Sequence, residues 1–365
     1  MIRKLVKPAA MALTLGATLW AGAAMLEPQR AEAQTAQAAA TAPLPSAWTP
    51  RAEPPAPQAG RRINRAIEVL ASGQPVYYTQ ISGGGYQDGL RLAATRADYI
   101  TYDMEHGAFS IDELRAFMRG LVDAGVTRTG HRTPAVIVTL PVLGDNPESM
   151  RANAWVAQQV MASGVHGILL CQAESPEAVR IFIEAMRYPF APGADPAATH
   201  RGSGSQNFAA RIWGVSNTEY FRTADIWPLN PEGEVMIGLK IENPKAVAHA
   251  EELVRIPGVT FVEWGPGDQA FYLLGRPTDQ TPVRTVRDAT GSPRYVAGSN
   301  EHVPVMAQTR ARVLAAARAA NVFFLNACPE DDVINQLQQG VMICTGGDTP
   351  AADLGRRHTN RTTPW

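Results

Sequence analysis

The chain has 365 residues, with 33 lysines and arginines against 34 aspartates and glutamates and a formal net charge of −1. That balance excludes a whole-chain electrostatic case for nucleic acid or an anionic membrane surface as partner, and 45% hydrophobic residues exclude a disordered chain. Three cysteines are too few for a disulfide framework, which leaves a globular protein of enzyme size.

Residues 1–33 read as a secretory signal peptide. Arg3, Lys4 and Lys7 precede an apolar run from about Pro8 to Leu26, and Ala31-Glu32-Ala33 offers a small-x-small cleavage site before Gln34. An uncleaved anchor helix fits the length of the run, but its Ala, Gly and Thr content is weakly apolar. Cleavage leaves a net charge of −3, no stable membrane insertion, and a periplasmic or secreted location. Residues 34–60 carry Pro43, Pro45, Pro50, Pro54, Pro55 and Pro57 among alanines and glutamines. Such a segment cannot bury enough apolar surface to order itself and reads as an extended linker. One folded domain is expected over 61–365.

From Arg61 onward, short apolar runs alternate with amphipathic stretches. Strands are expected at Val76–Ile81, Tyr99–Asp103, Ala135–Leu140, Gly167–Cys171, Val235–Ile241, Thr260–Trp264, Val322–Asn326 and Val341–Thr345. Most are continuous apolar runs, the pattern of strands covered on both faces. Helices are expected between them: Ser110 caps one running to Val122, Pro147 opens one to Ala162, and Ser175-Pro176-Glu177 opens one to Met186. Pro244 opens another to about Val254, and Val305–Ala320 and Pro329–Gln339 complete the set. Eight strands alternating with helices predict an α/β fold, a (β/α)8 TIM barrel. An open doubly wound sheet gives the same alternation, but no G-x-G-x-x-G follows the first strand, and Gly83-Gly84-Gly85 reads as a flexible loop. Two long stretches, Pro189 to Glu234 and Asp268 to His302, show no obvious structure and read as functional or interface loops.

In such a barrel, chemistry sits where strands end. Strand two ends in Asp103-Met104-Glu105-His106, strand four runs into Gln172 and Glu174, strand five into Glu242, and strand six into Gly265-Pro266-Gly267-Asp268. A single glutamate after a strand is ordinarily a solvated loop residue. Carboxylates and a histidine collected at one rim are a stronger signal. Glu242 and Asp268 end neighbouring strands and suit a hard divalent ion such as Mg2+ or Mn2+. His106 suits a general base, with Asp103 fixing its tautomer, although a histidine bonding its own loop is the structural alternative. Taken together, these residues predict a metal-assisted enzyme acting on an oxygen-rich small molecule.

The run from Asp98 to His106 resembles the D-x-x-x-x-D-x-E-H signature of the HpcH/HpaI aldolases, class II metal-dependent pyruvate aldolases of the phosphoenolpyruvate/pyruvate superfamily. Ile241-Glu242-Asn243 resembles their I-E-T strand, and Pro257-Gly258-Val259 with Gly265-Pro266-Gly267-Asp268 resembles P-G-V…G-P-x-D. Arg187-Tyr188-Pro189 and His200-Arg201-Gly202 resemble the R-Y-P-P-x-G-x-R-G loop. The resemblance covers roughly Arg61 to Gly347 and implies a (β/α)8 barrel that cleaves 4-hydroxy-2-oxo acids, such as 4-hydroxy-2-oxoheptanedioate, to pyruvate and an aldehyde. It implies that Glu242 and Asp268 hold Mg2+, Mn2+ or Co2+. His106, Asp103 and Glu105 would form the catalytic strip, and the backbone around Gly267 would receive the substrate carboxylate. Gln172, Thr139, Lys240 and Arg201 complete the substrate-binding candidates, and a homo-oligomer is implied.

Two positions depart from the pattern. Thr139 stands where the family has an arginine in a V-R-x-P context, and threonine supplies neither its charge nor its fork of donors. Arg132 and Arg201 are candidates to replace it. Lys240 stands two residues before Glu242, where its ammonium would disfavour a metal or take over part of the arginine's role. These departures keep two alternatives open: another lyase or decarboxylase on a carboxylic acid, and a non-catalytic periplasmic binding protein. Cys171, Cys328 and Cys344 read as small buried core residues, with a Cys328–Cys344 bridge as the alternative because strands seven and eight should be neighbours.

Overall fold

The computed structural model describes residues 61–141, 144–275 and 303–365, together with the backbone of two strands at 283–287 and 293–297. The expected signal peptide and linker lie outside the described residues. Among the described residues, no helix is long and apolar enough to cross a membrane.

Eight strands form a closed parallel barrel: β1 (Val76–Ile81), β2 (Tyr99–Asp103), β3 (Ala135–Thr139), β4 (Gly167–Leu170), β5 (Met236–Lys240), β6 (Phe261–Glu263), β9 (Phe323–Asn326) and β10 (Val341–Thr345). Each pairs with its chain neighbour in the ring, and β1 closes the barrel on β10, with Val76 opposite Ile343. The remaining strands, β7 (Val283–Arg287) and β8 (Pro293–Ala297), form a separate antiparallel hairpin inside the second long stretch. Closure excludes the open doubly wound sheet.

The helices form where the sequence supplies caps and prolines. Asn146, Ser175 and Asn243 each accept a backbone N–H from the first turn of helices that open on Pro147, Pro176 and Pro244. Ser110 does the same for Ile111–Asp123 by accepting from Glu113 N, and Leu114, Phe117, Met118 and Leu121 form its buried stripe. The helix from Pro244 breaks at His249 into Pro244–Ala248 and Ala250–Leu253. The expected helix from Pro329 forms only over Val333–Gln338.

Three readings of loops are corrected. Gly83-Gly84-Gly85 is not a free loop: Gly85 is the cap of helix Tyr86–Leu92, its N–H donates to Asp88 Oδ2, and Gly84 O accepts from Tyr102 Oη. The stretch from Pro189 to Glu234 contains helices Gln206–Trp213 and Asn217–Thr223. The stretch after Asp268 completes helix Pro266–Leu274 before the hairpin. Cys328 and Cys344 are bridged by a disulfide that ties the segment after β9 to β10, with Cα atoms 5.4 Å apart, and Cys171 is free and buried.

The barrel interior is apolar below and polar above. Val76, Ala135, Ile137, Met236, Phe261 and Ile343 belong to one buried cluster, with Tyr78, Leu169 and Leu325. Phe261 fits because Gly238 stands opposite it on β5: a Cβ at Gly238 would lie 2.2 Å from the Phe261 ring. Above this floor the inward positions at the carboxyl ends of the strands turn polar.

Candidate active site

A cavity of about 110 Å³ opens there, lined by Tyr78, Gln80, Thr101, Asp103, His106, Thr139, Leu169, Lys240, Glu263 and Leu325. Strand periodicity explains the set. Tyr78 and Gln80 on β1, and Thr101 and Asp103 on β2, are alternate residues and so share the inner face. Register places Asp103 beside Thr139, and Lys240 beside Glu263, on adjacent strands.

Asp103 is buried at the end of β2 and organises the turn that follows. Its Oδ1 accepts from the backbone N–H of Glu105, at 2.9 Å, and of His106, at 3.0 Å. Its Oδ2 accepts from Gln80 Nε2 at 3.2 Å and meets His106 Nδ1 at 2.8 Å. A carboxylate on Nδ1 selects the tautomer with the proton there, which leaves the lone pair on Nε2. The His106 side chain is 61% exposed, so this nitrogen is open to a ligand in the cavity mouth. The geometry is that of an oriented general base.

Glu242 follows β5 and is completely buried. Its Oε1 accepts from the backbone N–H of Gln172 at 2.8 Å. Gln172 has a φ of 45°, a left-handed conformation costly for a side chain, and in that conformation its N–H bonds Glu242. Glycine at 265 makes room for the carboxylate, because a Cβ there would lie 2.9 Å from Glu242 Oε2. Burial pushes the Glu242 carboxyl up to about 8, against the pull of the Lys240 ammonium.

Lys240 lies among the acids. Its Nζ is 2.7 Å from Glu105 Oε2 and 2.9 Å from Glu242 Oε2. Burial alone would favour the neutral amine, but Glu263, the Cys171 thiol, Glu242 and Glu105 outweigh it and hold the ammonium well above the usual lysine range. Glu263 is pushed up by burial and by Glu105, Asp268 and Asp103, with Lys240 opposing. Among the described residues, two groups of three potential metal ligands have donor atoms within 4.8 Å of one another: Asp103, Glu105 and His106, and Glu105, Cys171 and Glu242.

The expected site residues divide accordingly. Asp103, Glu105, His106, Thr139, Lys240 and Glu242 converge on one site, with Gln172 contributing its backbone. Gly267 and Asp268 lie in the first turn of helix Pro266–Leu274, and Asp268 joins neither three-ligand group. Arg201, expected among the substrate-binding residues, does not line this cavity. Its guanidinium donates to Met186 O, Ala224 O and Tyr220 Oη and stacks on the Tyr188 ring, so it ties the segment between β4 and β5 together. Arg132 donates to Ile212 O and Arg211 O and does not line the cavity. Neither arginine lies beside Thr139 in the cavity, and among the described lining residues Lys240 is the lysine or arginine present. Glu174 accepts from Asn243 Nδ2 and lines a separate open groove. Sequence reasoning missed Glu263, Tyr78, Gln80 and Thr101. The signal for Glu263 was present: an acid inside a predicted strand, on the inward side, next to a strand bearing a lysine.

The chain is 26% identical over 177 residues to a hydroxypyruvate/pyruvate aldolase of Delftia acidovorans, covering 48% of this chain and 54% of that protein. It is 24% identical over 200 residues to a protein of the same name from Roseovarius nubinhibens, covering 54% of this chain and 65% of the relative. The matches span between half and two-thirds of the length of these relatives. A solved HpcH/HpaI aldolase/citrate lyase family protein from Burkholderia cenocepacia shares the fold, with a TM-score of 0.56 and 21% identity, covering 79% of this chain and 93% of that one. The chain is thus similar in sequence to hydroxypyruvate/pyruvate aldolases and in fold to an HpcH/HpaI aldolase/citrate lyase family protein. No family model matches it. The site carries the His106–Asp103 pair, Thr139 at the end of β3, and the register neighbours Lys240 and Glu263 along its wall.

Proposed function

We propose that this protein is a metal-dependent carbon–carbon lyase that cleaves 4-hydroxy-2-oxo acids to pyruvate and an aldehyde. One observation carries the reading: an oriented base, His106 on Asp103, shares a site with the buried carboxylate Glu242. The curated relatives named hydroxypyruvate/pyruvate aldolase support the same class of substrate.

The residues fit a hard divalent ion. Glu105, Glu242 and Glu263 place three acidic groups around one ammonium, more oxygen ligands than one cation needs, and Glu242 Oε2 is buried with no hydrogen-bond donor besides that ammonium. Glu242 would hold the ion, with Asp268 as the second carboxylate from the neighbouring strand end. Once bound, a divalent ion supplies Lewis-acid polarisation of a 2-oxo acid. His106 Nε2 takes the proton of the 4-hydroxyl as the C3–C4 bond breaks, and Asp103 stabilises the imidazolium that results. The aldehyde leaves, and a proton returned to C3 completes pyruvate. The small cavity, closed below by Tyr78, Leu169 and Leu325, limits the acid end to a short chain.

Export fits the reading, since a disulfide persists in an oxidising compartment and not in a reducing cytosol. A second reading, another lyase or a decarboxylase on a different carboxylic acid, is favoured by Thr139 and the Lys240–Glu263 pair at the acid-binding end. The decisive experiment measures pyruvate release from a panel of 4-hydroxy-2-oxo acids with Mg2+, Mn2+ or Co2+. Activity should disappear with EDTA and in Glu242→Gln, and fall about 10²–10⁴-fold in His106→Ala. Activity that survives both EDTA and Glu242→Gln would overturn the proposal. Loss of carboxylate as CO2 without an aldehyde product would instead establish the second reading.

A further inference from the structure

Lys240 and Glu263 were not required by the chemistry above. They are register neighbours on the adjacent strands β5 and β6, and both line the cavity. The ammonium is buried and bridges Glu105 and Glu242, at 2.7 Å and 2.9 Å. It therefore holds two of the three members of the Glu105, Cys171 and Glu242 group, whose donor atoms lie close enough together to share an ion. Glu242 Oε2, the acceptor without another donor, is the atom Lys240 touches.

We propose that Lys240 is a resident cation of this site: its ammonium holds Glu105 and Glu242 as a counterion, and a divalent ion binds Glu242 only by displacing it. The inference rests on the metal reading given above. The physical reason is charge. A divalent ion on Glu242 Oε2 would share a desolvated carboxylate with an ammonium already in contact with it, and like charges at such distances repel strongly where water is excluded. Glu263, its register neighbour on β6, offers the displaced ammonium a third acidic group, so the lysine has a position to retreat to. Metal occupancy would then shift the Lys240 ammonium from Glu105 and Glu242 toward Glu263. The affinity for metal is set low by the protein itself, so the site is occupied only where the ion is plentiful.

The test is a Mn2+ titration of the metal-stripped full chain, with free Mn2+ read by electron paramagnetic resonance, so that no turnover is needed. Lys240→Met should bind Mn2+ at least tenfold more tightly than wild type, Lys240→Arg should stay at the wild-type affinity, and Lys240→Met with Glu242→Gln should lose the gain. Lys240→Met with Glu263→Leu removes the ammonium together with its acidic register neighbour and should show the same gain, which keeps the comparison open where the single variant does not fold. Equal or weaker affinity in the lysine-free variants, with Mn2+ bound by wild type, overturns the counterion role and leaves the metal reading intact. No Mn2+ binding by any variant overturns both.

Discussion

Glu234 shows at the scale of one residue how burial sets a pH response away from the active site. It lies two residues before β5, where Oε2 accepts the Asn64 N–H at 2.9 Å and Oε1 lies 3.4 Å from Arg62. Burial pushes its carboxyl from 4.5 up to about 7, and the backbone donor and Arg62 only partly offset it. The folded protein thus prefers the protonated acid. Its contribution to stability is complete below the unfolded value, is lost as pH rises toward 7, and is level above that. Wild type should lose up to about 3 kcal/mol relative to Glu234→Gln across this window, in urea unfolding at pH 5, 6, 7 and 8. Parallel pH profiles for the two proteins would refute this. The individual site residues were legible to different degrees. Asp103, His106 and Glu242 stood out because they end strands, and strand ends are where a barrel places chemistry. The placement of Arg201 away from the cavity was not legible, because its partners are the carbonyls of Met186 and Ala224, which no local pattern displays. Glu263 was passed over as part of a strand, although alternation places it on the inner face.

At the scale of elements, two glycines bring helices Tyr86–Leu92 and Ile111–Asp123 into backbone contact. A Cβ on Gly120 would lie 2.1 Å from Tyr86 O, and one on Gly89 would lie 2.1 Å from Phe117 O. The approach is reciprocal, so neither helix can admit a methyl group without moving away from the other. These helices flank β2 on either side in sequence, and β2 carries Asp103 to the cavity. Gly120→Ala should destabilise by about 1–3 kcal/mol, the usual cost of overpacking, even though alanine is the better helix former. Gly202→Ala is the control, because a Cβ there meets nothing within 4 Å, and it should stay within about 0.5 kcal/mol of wild type. Urea midpoints with unchanged slopes would establish the contrast, and equal midpoints for the two variants would remove the steric argument. Strands and proline-led helices were readable because their signals are local. Helices Gln206–Trp213 and Asn217–Thr223 were not, since their buried side chains, Trp213 and Tyr220, pack on each other and bond Gly164 O and Met161 O from an earlier element. Such packing appears only once the chain has folded back.

Over the described domain as a whole, the two ends of the barrel have separate tasks. The carboxyl end holds the cavity, and the amino end is sealed by the last residues of the chain. Asp98, buried just before β2, accepts the Tyr77 N–H at 2.9 Å from β1 and pairs with both terminal nitrogens of Arg361. Arg65, on the first described helix, donates to Pro364 O at 2.7 Å, and Arg356 lies over the Tyr77 ring. The closing segment therefore ties the first helix to the first two strands. Removing Arg361 leaves the buried Asp98 with only the longer contact to Arg65 at 3.7 Å, at a cost approaching the ~3–5 kcal/mol of a broken buried pair. Arg361→Met should unfold at correspondingly lower urea concentration. Asp98→Asn with Arg361→Met should cost less than the two single changes added together, by at least about 1 kcal/mol, because the double variant leaves no unpaired ion. Pyruvate formation by the folded fraction of Arg361→Met should keep the wild-type turnover, since the sealing pair and His106 lie at opposite ends of the barrel. An additive cycle would show that Asp98 and Arg361 stabilise the barrel independently. A loss of turnover in fully folded Arg361→Met would show instead that the seal and the cavity act as one unit.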